Sequence, residues 1–343
     1  MYPALTVTET LRNDAHTLLW IGSEGGMEKA LVERAGIPFK AVPAAGVHGV
    51  SLRKLPGNLL RLWKGYWKSR QLLKEFNPDA LLFTGGYVAI PMAVAGLRRR
   101  SLLFVPDIEP GLALKVLARF ASRIAVSVDE SRRFFNHQEK ITVTGYPLRE
   151  ELKKWQKAEA QAYFGFDPQI KTILFLGGSS GARSINQAVM EIAAELINKY
   201  QVIHLTGHLD WEDIQKHTNQ LSPRYQAFPY LHEMGAALAC ADLVVSRAGA
   251  SILGEYPYFG LPAILVPYPY AWKYQKVNAD YLVERGAALL LEDETLKTSL
   301  LRTITTLMED PQRLAAMSAA MTALANPDAA LAISELLFEM AGA

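Results

Sequence analysis

The chain carries one cysteine, Cys240, among 343 residues. A single thiol excludes an internal disulfide framework and any multi-cysteine metal site, and it suits a reducing cytoplasm. The seven histidines form no HExxH motif, so no metal is expected. No run reaches the ~18 uninterrupted apolar residues of a spanning helix, and the opening MYPALTVTETLRND has no basic stretch followed by an apolar one, which argues against a secretory signal. Acid is missing locally. Residues 34–74 hold nine Lys or Arg and no Asp or Glu, an excess hidden by a net charge of only +2, and such a segment calls for an anionic neighbour.

What is present is core material. Hydrophobic residues make up 50% and charged residues 20%, with mean hydropathy +0.06, which excludes global disorder. The length exceeds one compact core and fits two domains. In the later half KTILFL, QVIHL, ADLVVS and PAILV read as strands, each followed by a small-residue turn and three of them alternating with helical patterns. The earlier half repeats the style with HTLLWIG, DALLFTGG, SLLFVPD, SRIAVSV and EKITVTGYP. Alternation of this kind predicts an α/β fold of parallel sheets covered on both faces, with ligands outside the carboxyl ends of the strands. The expected division is a first domain over 1–147 and a second over 148–326, with an amphipathic helix in 327–343 crossing back onto the first. The opening is anomalous: Pro3 starts a helical run over 5–11 with no strand to feed it. The strand missing there is normally central, and its loss would leave an apolar slot in the middle of the first sheet.

Three segments carry candidate chemistry. GGSSGAR, residues 177–183, follows a strand and opens a helix. Its glycines let backbone approach a ligand and its helix amides present partial positive charge to phosphate, so Gly178, Ser179 and Gly181 are candidate contacts. A plain turn is the other reading, and the pattern matches neither GxxxxGK[ST] nor GxGxxG, so nothing marks ATP or NAD. SRAGASILGE, 246–255, is a second small-residue turn suited to a diphosphate through Ala250, Ser251, Ile252, Leu253 and Gly254. Glu255 is placed to accept from a ribose diol, or else is a solvated helix residue. In 266–282, Gln275 and Asn278 lie one turn apart, and their uncharged amides suit sugar hydroxyls. Tyr268, Tyr270, Trp272 and Tyr274 either border a sugar or fill a cleft.

Together GGSSGARSIN, TGYPLR (144–149), TGGYV (84–88), YLHEM (230–234), SRAGASILGE and YQKVNA resemble, in order and over nearly the whole chain, the MurG family of glycosyltransferases, glycosyltransferase family 28. The resemblance implies a GT-B fold of two Rossmann-like domains with parallel sheets facing across a cleft. It implies an inverting, metal-independent transfer of N-acetylglucosamine from UDP-N-acetylglucosamine, with no cofactor. The acceptor would be the undecaprenyl-pyrophosphoryl muramyl-pentapeptide of peptidoglycan synthesis, a role in cell-wall growth, cell shape and division at the cytoplasmic face of the membrane. Carried over, Arg149 and Ser179 touch the diphosphate, Leu231 and Met234 frame the uracil, residues 250–255 hold phosphate and ribose, and Gln275 binds the sugar. Gly85, Gly86 and Tyr87 fall on the acceptor side. Where the family often has a second glutamine, this chain has Tyr274.

Two departures stand out. The family's GGTGGH-type loop and the strand before it have no counterpart, which leads to the expectation that translation starts further upstream and that Met1 is a misassigned valine start. An in-frame stop directly before Met1 would refute it. Where relatives show HEQN this chain has FVPD, so Asp107 stands at the asparagine position, as a base toward the acceptor, as a donor-orienting group, or as the cap of a turn. His48 in GVHGV is an alternative candidate. In PGNLLRLWKGYWKSRQLLKEF, Leu59, Trp63, Tyr66 and Leu73 fall on one helical face and Arg61, Lys64 and Lys68 on the other. Leu59, Leu60, Trp63 and Trp67 beside these bases suit an anionic membrane surface, and no recognised nucleic-acid module accompanies the charge. Three rivals remain: a related lipid glycosyltransferase using another UDP-sugar, a UDP-N-acetylglucosamine 2-epimerase, and a donor-binding module without turnover.

Overall fold

A computed structural model describes the chain except for residues 13–15, 27, 47–50, 52, 179–180, 219–220, 270–273 and 343. The described chain forms two compact units, residues 1–147 with 328–343, and residues 148–327.

In the first unit the strands are β1 (Trp20–Ser23), β2 (Phe39–Val42), β3 (Ala80–Phe83), β4 (Arg100–Val105), β5 (Arg123–Val126) and β6 (Ile141–Val143). All pair in parallel, but in two separate sheets, β1-β2 and β3-β4-β5-β6. Strand β4 shows why its residues 102–105 are an unbroken apolar run. Leu103 and Val105 pack on one face with Leu73, Met92 and Leu117 from the helices Leu55–Phe76, Ala89–Ala95 and Leu112–Ala118. Leu102 and Phe104 pack on the other with Val7 and Leu11 of the helix Tyr2–Arg12 and with Ile333, Leu336 and Leu337 of the helix Ala329–Ala341. A strand covered on both sides cannot alternate with polar residues. Ile21 of β1 packs on the same cluster as Leu103, and Leu18 on the cluster of Leu102, so both sheets share their covering helices without sharing a ladder among the described residues. Three of the four residues of β3, and three of β1, are only half-buried, unlike β4. The discontinuity expected in the middle of this sheet is therefore there.

The helix Leu55–Phe76 packs through a narrower stripe than its apolar residues suggest. Its buried stripe is Gly65, Ser69, Leu72 and Leu73. A Cβ on Gly65 would stand 2.2 Å from the Pro43 carbonyl oxygen, so this helix approaches its neighbour through its smallest residues. Leu59 and Trp63, placed on one face with Tyr66 and Leu73, are instead 53% and 59% exposed, while Tyr66 is half-buried and only Leu73 is in the core.

The second unit holds β7 (Thr172–Leu176), β8 (Gln201–Leu205), β9 (Tyr225–Phe228), β10 (Leu243–Ser246), β11 (Ala263–Leu265) and β12 (Ala288–Leu290). They form one parallel sheet in the order β12-β11-β10-β7-β8-β9, and β8, β10 and β11 are buried throughout. Strands β2, β9 and β12 escaped the sequence reading. All three are outermost in their sheets and only three or four residues long, with Lys40 or Gln226 interrupting the apolar pattern in two of them.

Candidate functional site

A parallel sheet puts the loops following β7, β8, β9, β10 and β11 at one edge. Between β7 and the helix Arg183–Lys199, Gly178 and Gly181 adopt left-handed conformations, with φ of +87° and +80°. A Cβ on Gly181 would lie 2.1 Å from the Thr206 carbonyl oxygen, so this position tolerates only glycine. Among the described residues no side chain caps the helix that follows, so none of them satisfies its first amides there. Ser179 lies outside the described residues.

After β10, residues Ala250–Leu253 form a 3-10 turn leading into the helix Glu255–Phe259. Ile252, Leu253 and Gly254 are buried and offer only backbone, while Ala250, Ser251 and Glu255 are half-buried. Burial pushes the Glu255 carboxyl above its ordinary value, opposed by the Arg149 guanidinium and a hydrogen bond from the Ser251 hydroxyl. Arg149, which heads the helix Glu150–Lys153, is thus within electrostatic reach of Glu255.

Arg247 braces the edge. Its guanidinium donates to the Val266 and Pro267 carbonyls at 3.2 and 3.4 Å and to Ser184 Oγ at 2.7 Å, pairs with Asp293, and lies over the Tyr268 ring at 5.2 Å. Three loops are tied by one side chain. Sequence reading took Arg247 for part of a small-residue turn, and its only signal was a charge directly after an apolar strand. The Gln275 carbonyl accepts from the Tyr268 amide at 2.9 Å, closing its own loop, whose Tyr270 and Trp272 lie outside the described residues. Asn278 is fully buried and donates to the Ala248 carbonyl at 3.2 Å, so its amide holds the 246–251 turn. Leu231 and Met234, both half-buried, follow β9, and a Cβ on Gly235 would meet the Leu152 carbonyl oxygen at 2.7 Å, which sets this loop against the helix begun by Arg149.

In the first unit, Gly85 and Gly86 take φ of +103° and +83° after β3. Tyr87 is 54% exposed, with its ring against Gly46. Asn58 donates to the Gly46 carbonyl, so the start of the helix bearing Leu59, Leu60, Trp63 and Trp67 adjoins Tyr87. Asp107 lies in the bend after β4, half-buried, and the Ser127 hydroxyl donates to the neighbouring Pro106 carbonyl at 2.8 Å. His48 lies outside the described residues.

Comparison with known proteins fits this geometry. The profile of the glycosyltransferase family 28 N-terminal domain matches residues 1–126, and that of the glycosyltransferase family 28 C-terminal domain matches residues 172–333. A protein of Roseiflexus sp. (strain RS-1), named UDP-N-acetylglucosamine--N-acetylmuramyl-(pentapeptide) pyrophosphoryl-undecaprenol N-acetylglucosamine transferase, is 38% identical over 95% of this chain and 84% of its own. Among solved structures, Acinetobacter baumannii MurG superposes with a TM-score of 0.78 at 23% identity, covering 98% of this chain and 95% of that one. The UDP-GlcNAc 2-epimerase of Neisseria meningitidis, bound to UDP-GlcNAc, gives a TM-score of 0.69 at 14% identity over 98% and 95%. These likenesses show the two-domain GT-B fold.

Proposed function

Because the chain belongs to glycosyltransferase family 28 and, within it, to the MurG family, we propose that this glycosyltransferase moves N-acetylglucosamine from UDP-N-acetylglucosamine to undecaprenyl-pyrophosphoryl-MurNAc-pentapeptide. The observation that carries the reading is 38% identity across 95% of the chain to a transferase of that name. The epimerase shares the fold at 14% identity, which decides nothing about reaction.

On this reading the donor lies along the loop edge of residues 148–327. The diphosphate takes the amides around Gly178 and Gly181 and the open helix N-terminus behind them, and Arg149 adds a formal charge. Uracil fits between Leu231 and Met234. The ribose hydroxyls donate to Glu255, whose burial disfavours its charge until such donors arrive. Gln275 meets the sugar.

An acceptor hydroxyl oxygen attacks the anomeric carbon in line. The new bond forms on one face as the bond to the diphosphate breaks on the other, so the configuration inverts. UDP leaves with the bonding electrons, and the charge that develops on it falls where Arg149 and the loop amides are aimed. The hydroxyl proton goes to Asp107, the carboxylate that the chain carries after β4 in the acceptor unit. Gly85, Gly86 and Tyr87 belong to that acceptor side. Among the described residues no helix is long and apolar enough to cross a membrane. The exposed Leu59, Leu60, Trp63 and Trp67, beside Arg61, Lys64 and Lys68, suit peripheral docking on an anionic cytoplasmic leaflet where the lipid acceptor resides.

The test is transfer of labelled N-acetylglucosamine to a detergent-solubilised undecaprenyl-linked acceptor. Product with UDP-N-acetylglucosamine, and little with UDP-glucose or UDP-galactose, is expected. Epimerised nucleotide sugar without acceptor, or UDP binding with no transfer, would overturn the reading. D107N should cut kcat by about a hundredfold, the usual worth of a positioned base, with the donor KM unchanged.

A further inference from the structure

Behind the donor loop lies a buried polar chain that the transfer reaction does not use directly. His204, the fourth residue of β8, has no exposed surface. Its Nε2 is 3.0 Å from Asn186 Oδ1, and its Nδ1 is 2.7 Å from the Tyr225 hydroxyl at the start of β9. Asn186, in the first turn of the helix Arg183–Lys199, directs Nδ2 to the Thr206 carbonyl at 2.8 Å and to Asp210 Oδ2 at 2.9 Å. Asp210 in turn accepts from Arg183 Nε at 3.0 Å.

These partners fix every proton. A carbonyl and a carboxylate only accept, so the amino group of Asn186 must face Thr206 and Asp210, and its Oδ1 must face His204. Nε2 of His204 therefore carries the hydrogen, and Nδ1 accepts from Tyr225. Burial holds the ring neutral, lowering its pKa from 6.5 to about 3, so this tautomer persists across the working range. The bonds run one way, from the Tyr225 hydroxyl to His204, to Asn186, and on to the Thr206 carbonyl and Asp210, an arrangement in which each link strengthens the next.

The far end of the chain is what gives it meaning. The Thr206 carbonyl is the atom against which Gly181 is pressed, and Asp210 holds Arg183 at the head of the helix that follows. We infer that His204 is a positioning residue for donor binding, holding Asn186 and Thr206 so that Gly181 and the helix start at Arg183 keep the places that receive the diphosphate. The inference rests on the donor reading of the loop after β7.

Calorimetric titration of UDP into the full chain, together with transfer kinetics, tests it. His204→Leu should weaken UDP binding about tenfold, the size expected when a buried amide loses its donor, and raise the donor KM alike while the acceptor KM and kcat stay within about twofold. His204→Gln, whose amide nitrogen reaches the place of Nε2, should restore affinity to within about threefold of the parent, a rescue that a volume-filling role would not give. Tyr225→Phe, which leaves Nδ1 without its donor and frees the ring to change tautomer, should weaken UDP about threefold, and it serves if His204→Leu does not fold. A folded His204→Leu or Tyr225→Phe protein that binds UDP as the parent does overturns the inference. So does an equal rise in donor and acceptor KM. Failure of the parent itself to bind UDP overturns instead the reading of the loop.

Discussion

Each unit contains six described strands, yet in residues 148–327 they make one continuous sheet and in the other unit they make a pair and a four. The difference decides how loops are held. In the continuous sheet every strand from β11 to β8 is hydrogen-bonded on both sides, so the turns after β7, β8 and β10 start from positions set by the ladder. In the other unit no ladder among the described residues joins β1 to β3, and Ile21 and Leu18 reach the clusters on the two faces through packing. Packing is less directional than a ladder. On the proposed reading the donor edge is thus the preorganised scaffold and the acceptor side the softer half, which suits a large lipid-linked substrate on one side and a small nucleotide on the other.

Acid should reverse that ranking, and this is the largest effect expected. The folded pKa of His204 is about 3, well below 6.5, so below pH 6.5 the unfolded chain binds a proton that the folded unit refuses. Stability from this group is complete above pH 6.5 and falls as pH drops toward 3, by on the order of 5 kcal/mol at about 1.4 kcal/mol per unit. Hydrogen exchange followed from pH 7 to pH 4 should show the β7–β10 amides losing protection faster than those of β4 and β5, and His204→Gln should remove the difference. Identical acid sensitivity in the two units would break the comparison. Next in size is Glu255→Ala, which should lower kcat/KM for the donor by about 100-fold or more, the worth of two hydrogen bonds to a charged acceptor, with the acceptor KM unchanged.

Sequence made the scaffold legible and left its bracing hidden. The apolar runs of β4 and β7 announce strands covered on both faces, and the two glycine turns announce tight loops at the strand ends, because these signals are local. The His204, Asn186 and Asp210 chain joins residues whose partners are set by sheet order, which no spacing encodes. Arg247 is similar: it reaches Asp293, 46 positions away. Gln275 and Asn278 carried one signal and met different fates, half-exposed against fully buried, because the helix they share presents only one of them to solvent. In the helix Leu55–Phe76 the ordinary rule inverted. Small residues mark its buried stripe, since Gly65 permits an approach that a larger side chain would block.

Core truncation sharpens the same contrast at a smaller scale. Leu174, in β7, has no exposed surface, and Leu174→Ala should cost about 3 kcal/mol from lost burial and the cavity left behind. Leu82, in β3 beside the interruption, is only half-buried, and Leu82→Ala should cost about 1 kcal/mol because neighbours can relax into the space. Two-unit chains do not unfold in one step, so urea titrations should be read from exchange protection in each unit separately. Equal costs would show that the split sheet is packed as tightly as the continuous one.

The smallest effect concerns what the softer unit does with its surface. Trp63 and Trp67 are 59% and 49% exposed, meet edge to face at 6.2 Å, and have the Arg70 guanidinium 5.6 Å from the Trp67 ring. Exposed rings that pack on each other and on Tyr66, next to Arg61, Lys64 and Lys68, gain by entering a membrane interface, where the apolar body leaves water and the bases meet lipid phosphate. Replacing both by Ala should weaken partition onto vesicles containing anionic phospholipid about tenfold, in line with the apolar area withdrawn. UDP affinity should not change, because the donor edge proposed above belongs to the other unit. If the doubly substituted protein binds vesicles undiminished, the exposed face of this helix has no part in docking. If UDP affinity falls with it, the two units are coupled more tightly than their separate sheets imply.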